Sequence, residues 1–190
     1  MDDVIKMVAM VVMASAVMSV AVPSQADAFF RLGAEARWAP VAVESMTQDG
    51  DTIDTERKLE SGGVGVRALF GLKYLSLGPK VNFARHSFED SELSYSQIDF
   101  NAHVRTGLPF LRLAVFAEGG PSMSLNIGEV GYNAATGVEV DITGWPLVDV
   151  NLGLVAQYAS VPIGAGPGEI RLDEGLRGMV VVGADFTLID

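Results

Sequence analysis

From Phe29 to the C-terminus, apolar and polar side chains alternate one by one, in run after run. A period of two is the pattern of a strand with one apolar and one polar face. Eight segments carry it. The first, about 29–40, sets Phe30, Leu32, Ala34, Ala36 and Trp38 against Arg31, Gly33, Glu35 and Arg37. The second, about 61–71, sets Val64, Val66, Ala68 and Phe70 against Gly65, Arg67 and Leu69. The third, about 74–86, has Leu75, Leu77, Val81 and Phe83 opposed to Ser76, Gly78, Lys80 and Asn82. The fourth, about 94–106, opposes Ile98, Phe100, Ala102 and Val104 to Gln97, Asp99, Asn101, His103 and Arg105. In the fifth, about 110–121, Leu111, Leu113, Val115 and Ala117 face away from Arg112, Ala114, Phe116 and Glu118. The sixth, about 134–144, opposes Val138, Val140 and Ile142 to Glu139, Asp141 and Thr143. The seventh, about 148–160, and the eighth, about 177–189, continue the pattern, with Leu152, Leu154, Val182 and Phe186 against Asp149, Asn151, Gly183 and Asp185.

The connections alternate in length. Gly71-Leu72-Lys73, Gly107-Leu108-Pro109 and Trp145-Pro146-Leu147 read as tight turns, with Gly and Pro where turns use them. About 41–60, 87–93, 122–133 and 161–176 are longer and polar. Short turns at one end and long loops at the other mark an up-and-down barrel. Alternation leaves open which face points outward, because a soluble barrel of the same period has its apolar face inside. Three features favour apolar outside. The polar face carries six bases and seven acids, a balance that suits pairing in a narrow lumen. Aromatic residues gather at strand ends: Phe29, Phe30, Phe70, Tyr74, Phe110, Trp145 and Phe186 near the short turns, and Trp38, Tyr95 and Tyr158 near the long loops. Two such girdles belong at two membrane interfaces. The polar face is also rich in Gly, Ala and Ser, as a crowded eight-strand interior requires.

The expected fold is therefore all-β: an eight-stranded antiparallel up-and-down transmembrane β-barrel, with short periplasmic turns and four longer extracellular loops. Its lumen would hold an ion-pair network of Arg31, Glu35, Arg37, Arg67, Lys80, Asp99, His103, Arg105, Arg112, Glu118, Glu139, Asp141 and Asp149, with Asp185 on the same face. Pro79 and Pro121 each remove a ladder hydrogen bond, so a bulge or strand end is expected there. Arg85 has lipid-facing parity after Phe83 and is expected to snorkel at the rim or to follow a bulge.

Upstream, Met7 to Val22 is free of charge, too short to span a bilayer as a helix, and followed by Ala26-Asp27-Ala28. The expectation is a cleaved signal peptide over 1–28 and a barrel domain over 29–190. The n-region, with Asp2 and Asp3 before Lys6, is less basic than such signals usually are.

The mature pattern resembles the small eight-stranded outer-membrane barrels of Gram-negative bacteria, the OmpA/OmpX/OmpW type. The resemblance is architectural and covers 29–190. The last strand adds a local match, Gly183, Phe186 and Leu188, in the spacing of that class's assembly signal. It departs from the class in ending Leu188-Ile189-Asp190 and in having Val181 where a polar residue is usual. The resemblance implies residence in the outer membrane, recognition by the barrel-assembly machinery, and contact with outer-membrane lipid and lipopolysaccharide.

Composition narrows the chemistry. The 190-residue chain has 13 Lys+Arg against 24 Asp+Glu, a net charge of −11, no Cys, and two His at 86 and 103. An acidic chain is a poor nucleic-acid binder, and the absence of Cys excludes disulfides, thiolate metal sites and a Cys nucleophile. The charge is uneven. The long connections hold thirteen acids against Arg57, Lys58 and Arg171, a net of −10.

His86-Ser87 invites a hydrolase reading, but adjacent strand residues face opposite ways, so a rim His and a loop Ser are the expectation. His103, between Asn101 and Arg105, reads as a luminal His bonded to a neighbouring strand. Asp49, Asp51 and Asp54 form a weak surface cation candidate, without the full spacing of a calcium loop. Gly164-Ala165-Gly166-Pro167-Gly168 reads as a loop and not a phosphate cradle, since no helix follows it. No catalytic or cofactor site is expected. The functional expectation is a structural or surface-interaction role. A narrow channel for small or hydrophobic solutes is the first alternative, and an envelope lipid-modifying enzyme the second.

Overall fold

The computed structural model describes residues 29–48, 51–55, 59–72, 74–88, 94–108, 111–126, 130–142, 148–162 and 170–189. The signal-peptide expectation over 1–28, Asp49, the 143–147 turn and Gly164–Gly168 lie outside the described residues. The strands are β1 (Phe29–Gln48), β2 (Asp51–Thr55), β3 (Leu59–Leu72), β4 (Leu75–Phe88), β5 (Ser94–Gly107), β6 (Leu113–Ser124), β7 (Val130–Asp141), β8 (Val148–Pro162) and β9 (Ile170–Ile189). Eight of them form a closed antiparallel barrel in the order β1-β3-β4-β5-β6-β7-β8-β9, and β9 returns to pair with β1. The ninth, β2, is a short hairpin return on the far end of β1, with Glu44 opposite Thr55 and Gln48 opposite Asp51. Phe30 pairs with Ile189, so the start of β1 and the end of β9 lie together at the short-turn end.

Strand parity decides what faces where. Leu32, Val66, Phe70, Leu77, Phe100, Val138, Leu154 and Val182 are exposed on the outer wall, each by more than 40%. Glu35, Arg67, Lys80, Asp99, His103, Glu118, Glu139 and Asp185 are buried inside. Charges inside and leucines outside is the orientation that only an apolar surrounding stabilises. At the long-loop end Trp38 is exposed on the wall and Tyr132 lies 6.1 Å from Tyr158, ring to ring. At the short-turn end Phe30 stacks at 4.6 Å on Phe70, and Phe186 is exposed.

Several expectations need correction. The strands around the first long loop reach further: β1 runs on to Gln48, and part of the expected 41–60 loop is β2, which holds Asp51 and Asp54. The β1–β9 register shifts between Trp38 and Val41, so a bulge at Ala39-Pro40 absorbs the missing proline donor and the strand continues. At the other end of that ladder, β9 starts at Ile170, inside the expected 161–176 loop. The fifth and sixth segments shift toward the long-loop end, to 113–124 and 130–141, because Leu108 and Leu113 close a longer turn through a 2.8 Å backbone bond. Pro79 and Pro121 cause neither a bulge nor a strand end. The register is the same on both sides of each, and only the bridges at Ala68-Leu69 and Phe100-Asn101 are missing. Each proline follows a glycine, Gly78 or Gly120, at a point where a methyl group would strike the opposing Ala68 or Phe100 carbonyl. The small residue lets the chains close up where the ladder bond is absent. Tyr95 belongs to no girdle. It is 3% exposed, inside the lumen.

The orientation has a direct test. Leu154→Arg, midway along β8 and 63% exposed, should cost about 2–4 kcal/mol in reversible unfolding from phospholipid, whereas Leu188→Arg near the end of β9 should cost about 0–1. Equal and negligible costs at both positions would mean that the wall does not face lipid.

Candidate functional site: the lumen

The lumen is filled in tiers. Nearest the short turns, Arg31 meets Asp149 at 3.3 Å, both partly exposed. Above them Arg105 bonds Glu139 and Asp141, each at 2.9 Å. Arg67 holds Asp185 with two parallel bonds, Nε at 2.8 Å and Nη2 at 2.7 Å, and reaches Glu139 at 2.8 Å and Glu35 at 3.7 Å. At mid-height Lys80 lies between Glu35 at 2.8 Å and Glu118 at 2.9 Å. Arg37 bonds Glu35 and reaches Glu118 at 2.7 Å. His103 Nδ1 is 2.9 Å from the other oxygen of Glu118. These two middle tiers contain four bases (Arg37, Arg67, Lys80, Arg105) against four fully buried acids (Glu35, Glu118, Glu139, Asp185) and the partly exposed Asp141, so their charges nearly cancel.

Among the described residues three ties cross the full width of the barrel, between strands four places apart in the ring. They are Arg37 on β1 to Glu118 on β6, Arg67 on β3 to Glu139 on β7, and, nearer the long loops, Arg177 on β9 to the Tyr95 hydroxyl on β5 at 2.6 Å. Arg177 also lies 3.2 Å from His86 Nε2, and His86 stacks on Tyr95 at 4.5 Å. Between these tiers is one of amides and hydroxyls gathered around Asp99. Asp99 accepts bonds from Gln97 at 2.5 Å, from Ser122, and from Gln157 at 3.2 Å, while Asn133 bonds Asn101 and Ser122. A cavity of about 20 Å³ lies here among Arg37, Asn82, His86, Asp99, Gln157 and Met179, with room for a single water. One side of the lumen is apolar: Phe116, Ala135, Val155, Met179 and Val181 pack together with Ala39. Val181, an oddity against the family pattern, is part of that filling.

Glycine makes the tiers possible at β1. Gly33 pairs with Arg67 on one side and Asp185 on the other, and their bidentate bridge closes over it. A Cβ there would collide with the Asp185 carboxylate and sit 2.9 Å from Arg67 Cγ. Two residues on the roles reverse, and Glu35 stands between Gly65 and Gly183. Gly183 thus has a packing reason beside its place in the expected assembly signal, while Phe186 and Leu188 face outward from the same strand.

Of the expected network, Arg112 is misplaced. It is exposed at the bend before β6, since the strand begins only at Leu113. Asp99 is buried in the lumen but joins no ion pair among the described residues. Ser87 is on β4 and not in a loop, and it is exposed while His86 is 1% exposed, so the two do not face each other. Sequence reasoning missed Arg177 because the eighth segment was started at that residue and its inward parity was not followed. The same parity rule would have placed Tyr95 inside.

Solved structures share this architecture. Neisserial surface protein A matches over 84% of this chain and 98% of its own, at 15% identity and a TM-score of 0.50. The fold is settled by that match and by the closed ring above. The chain is a small eight-stranded barrel of the outer-membrane type. OprG of Pseudomonas aeruginosa (11% identity, 87% and 97% covered, TM-score 0.49) and Ail of Yersinia pestis (11%, 86% and 99%, TM-score 0.45) are also similar. No family model and no curated protein matches the chain.

Arg67 should be the lumen's most sensitive position. Arg67→Ala leaves Asp185 and Glu139 buried without their main partner and should cost about 3–5 kcal/mol in an unfolding titration. Arg67→Lys keeps the charge but loses the fork, and should fall between that variant and the wild type. An alanine variant as stable as the wild type would mean that the network does not hold the barrel.

Proposed function

We propose that the protein is a non-catalytic barrel of the outer membrane whose work is structural and at the cell surface. The observation that carries this reading is the pair of ion pairs spanning the lumen, Arg37–Glu118 at 2.7 Å and Arg67–Glu139 at 2.8 Å. A solute path would have to part both, in a low-dielectric interior where an uncompensated charge costs several kcal/mol. Solute transfer is therefore disfavoured against a role carried by the wall and the rim. Lipopolysaccharide and the barrel-assembly machinery are the partners this reading calls for. The acidic long connections suit surfaces that are cationic or bridged by divalent cations.

Purified protein in planar bilayers should give no steady conductance, while Arg37→Ser/Glu118→Ser, which removes one tie, should show brief openings. Well-defined channels from the wild type would sink the closed-lumen reading. His86→Ala and Ser87→Ala should leave lipid A acylation unchanged in cells expressing them, and a deacylation activity lost in either variant would establish an enzyme.

A further inference from the structure

Asp99 on β5 is the one acid in the described lumen that touches no described base. It is 2% exposed, and the groups bonded to it are all uncharged: the Gln97 and Gln157 amides and the Ser122 hydroxyl. Neutral donors alone leave a buried carboxylate without a counter-charge. Its ladder neighbour on β4, Asn82, has the complementary problem. Asn82 is also 2% exposed, and neither its amide nitrogen nor its amide oxygen has a partner among the described residues. Turning the amide over exchanges the two atoms and mends neither.

Both side chains border the cavity of about 20 Å³, together with Arg37 on β1, His86 on β4 and Gln157 on β8. Arg37 bonds Glu35 through Nε and Glu118 through Nη2, and a guanidinium has five hydrogens to give. His86 Nε2 lies 3.2 Å from Arg177 Nη1, which only donates, so Nδ1 carries the ring hydrogen. The residues around the cavity therefore offer hydrogens from Arg37, His86 and the Asn82 amide. They offer lone pairs from Asp99 and the Asn82 carbonyl. That mixture decides the occupant. A metal cation has no use for donors and would sit beside a guanidinium, and an anion would face Asp99. Water both donates and accepts, and the volume suits a single molecule of it.

We propose that the cavity binds one internal water that bridges Arg37 to Asp99, with the Asn82 side chain as its third partner. Asp99 thereby has its counter-charge on β1, three places round the ring, as a water-separated ion pair. The bridge also joins the tier of amides and hydroxyls to the ionic tier, because Arg37 already holds Glu118 on β6 at 2.7 Å. Its partners come from β1, β4 and β5, so the site is complete only in the closed ring. The water lies in the interior and is independent of the rim, so failure of a surface role leaves it in place.

The test uses the full mature barrel folded in detergent micelles, with asparagine side chains labelled with nitrogen-15. Cross-relaxation between water and the Asn82 amide hydrogens, assigned by their loss in Asn82→Leu, should reveal a long-lived internal water. The signal should disappear in Ala84→Val, because Ala84 lines the cavity and the added methyl groups take its space. Stability gives a second readout. Asp99→Asn and Arg37→Gln should each lower the folding equilibrium constant, and the loss in the double variant should fall short of the product of the two by roughly tenfold. Heat-modifiable migration on gels identifies the folded fraction of each variant. If Arg37→Gln does not fold, the same cycle between Ala84→Val and Asp99→Asn should show the same shortfall. Absence of a slowly exchanging water at Asn82, or losses that simply multiply, would overturn the bridge. A stability that rises with sodium over choline at equal ionic strength would assign the cavity to a cation and overturn it equally.

Discussion

The fold rests on charge neutralised across a space too narrow for water to do it. Eight strands close around an interior that side chains fill, and in this chain the filling is ionic. Burying one carboxylate or guanidinium costs several kcal/mol even after relaxation, and only partners at hydrogen-bond distance offset it. The middle tiers meet that condition with four bases and four acids whose contacts are shared: Glu118 serves Arg37, Lys80 and His103, and Arg67 serves Asp185, Glu139 and Glu35. Because Arg37–Glu118 and Arg67–Glu139 join opposite walls, the network does more than neutralise. It ties β1 to β6 and β3 to β7, pairs that no ladder hydrogen bond connects.

Side-chain size is the second half of the same constraint. A tier cannot hold a large charged residue from every strand. Around β1 the chain alternates instead, with Arg67 and Asp185 meeting over Gly33 and Glu35 standing between Gly65 and Gly183. From β6 round to β9 the space is taken by Phe116, Val155, Met179 and Val181, which need no partners. Phe116 also serves the charged half, with His103 at 5.1 Å and Lys80 over its ring at 5.5 Å.

Parity was legible in the sequence and radial partnership was not. The two-residue period places Glu35, Arg67, Lys80, Glu118, Glu139 and Asp185 on one face without any knowledge of the barrel, and that face is the lumen. Which of them meet depends on strands far apart in the chain and on the tilt of the ring, and neither leaves a local trace. Arg37 and Glu118 are 81 residues apart. The misreadings have local causes. Tyr95 was assigned by residue type, as an interfacial aromatic, against its own inward parity. Arg112 was assigned by extending parity past the true start of β6. The first segment was ended at about residue 40, because a bulge that carries a strand past a proline depends on the neighbour across the ladder, which is β9. Interior glycines carried more signal than was used, since Gly33, Gly65 and Gly183 each mark a close approach of a charged side chain.

The charge of the whole chain is sorted by height and by face, and each zone follows a different rule. Inside the middle of the lumen the sum must be near zero, because nothing else screens it. The long-loop end is under no such rule, and there the stretches 41–60, 87–93, 122–133 and 161–176, strand extensions and loops together, carry thirteen acids against three bases. On the wall any charge is penalised by the surrounding hydrocarbon, least so near an interface where a long side chain can reach polar groups. Arg85 is there, one residue beyond Phe83 on the outward row and level with Trp38 across Gly62.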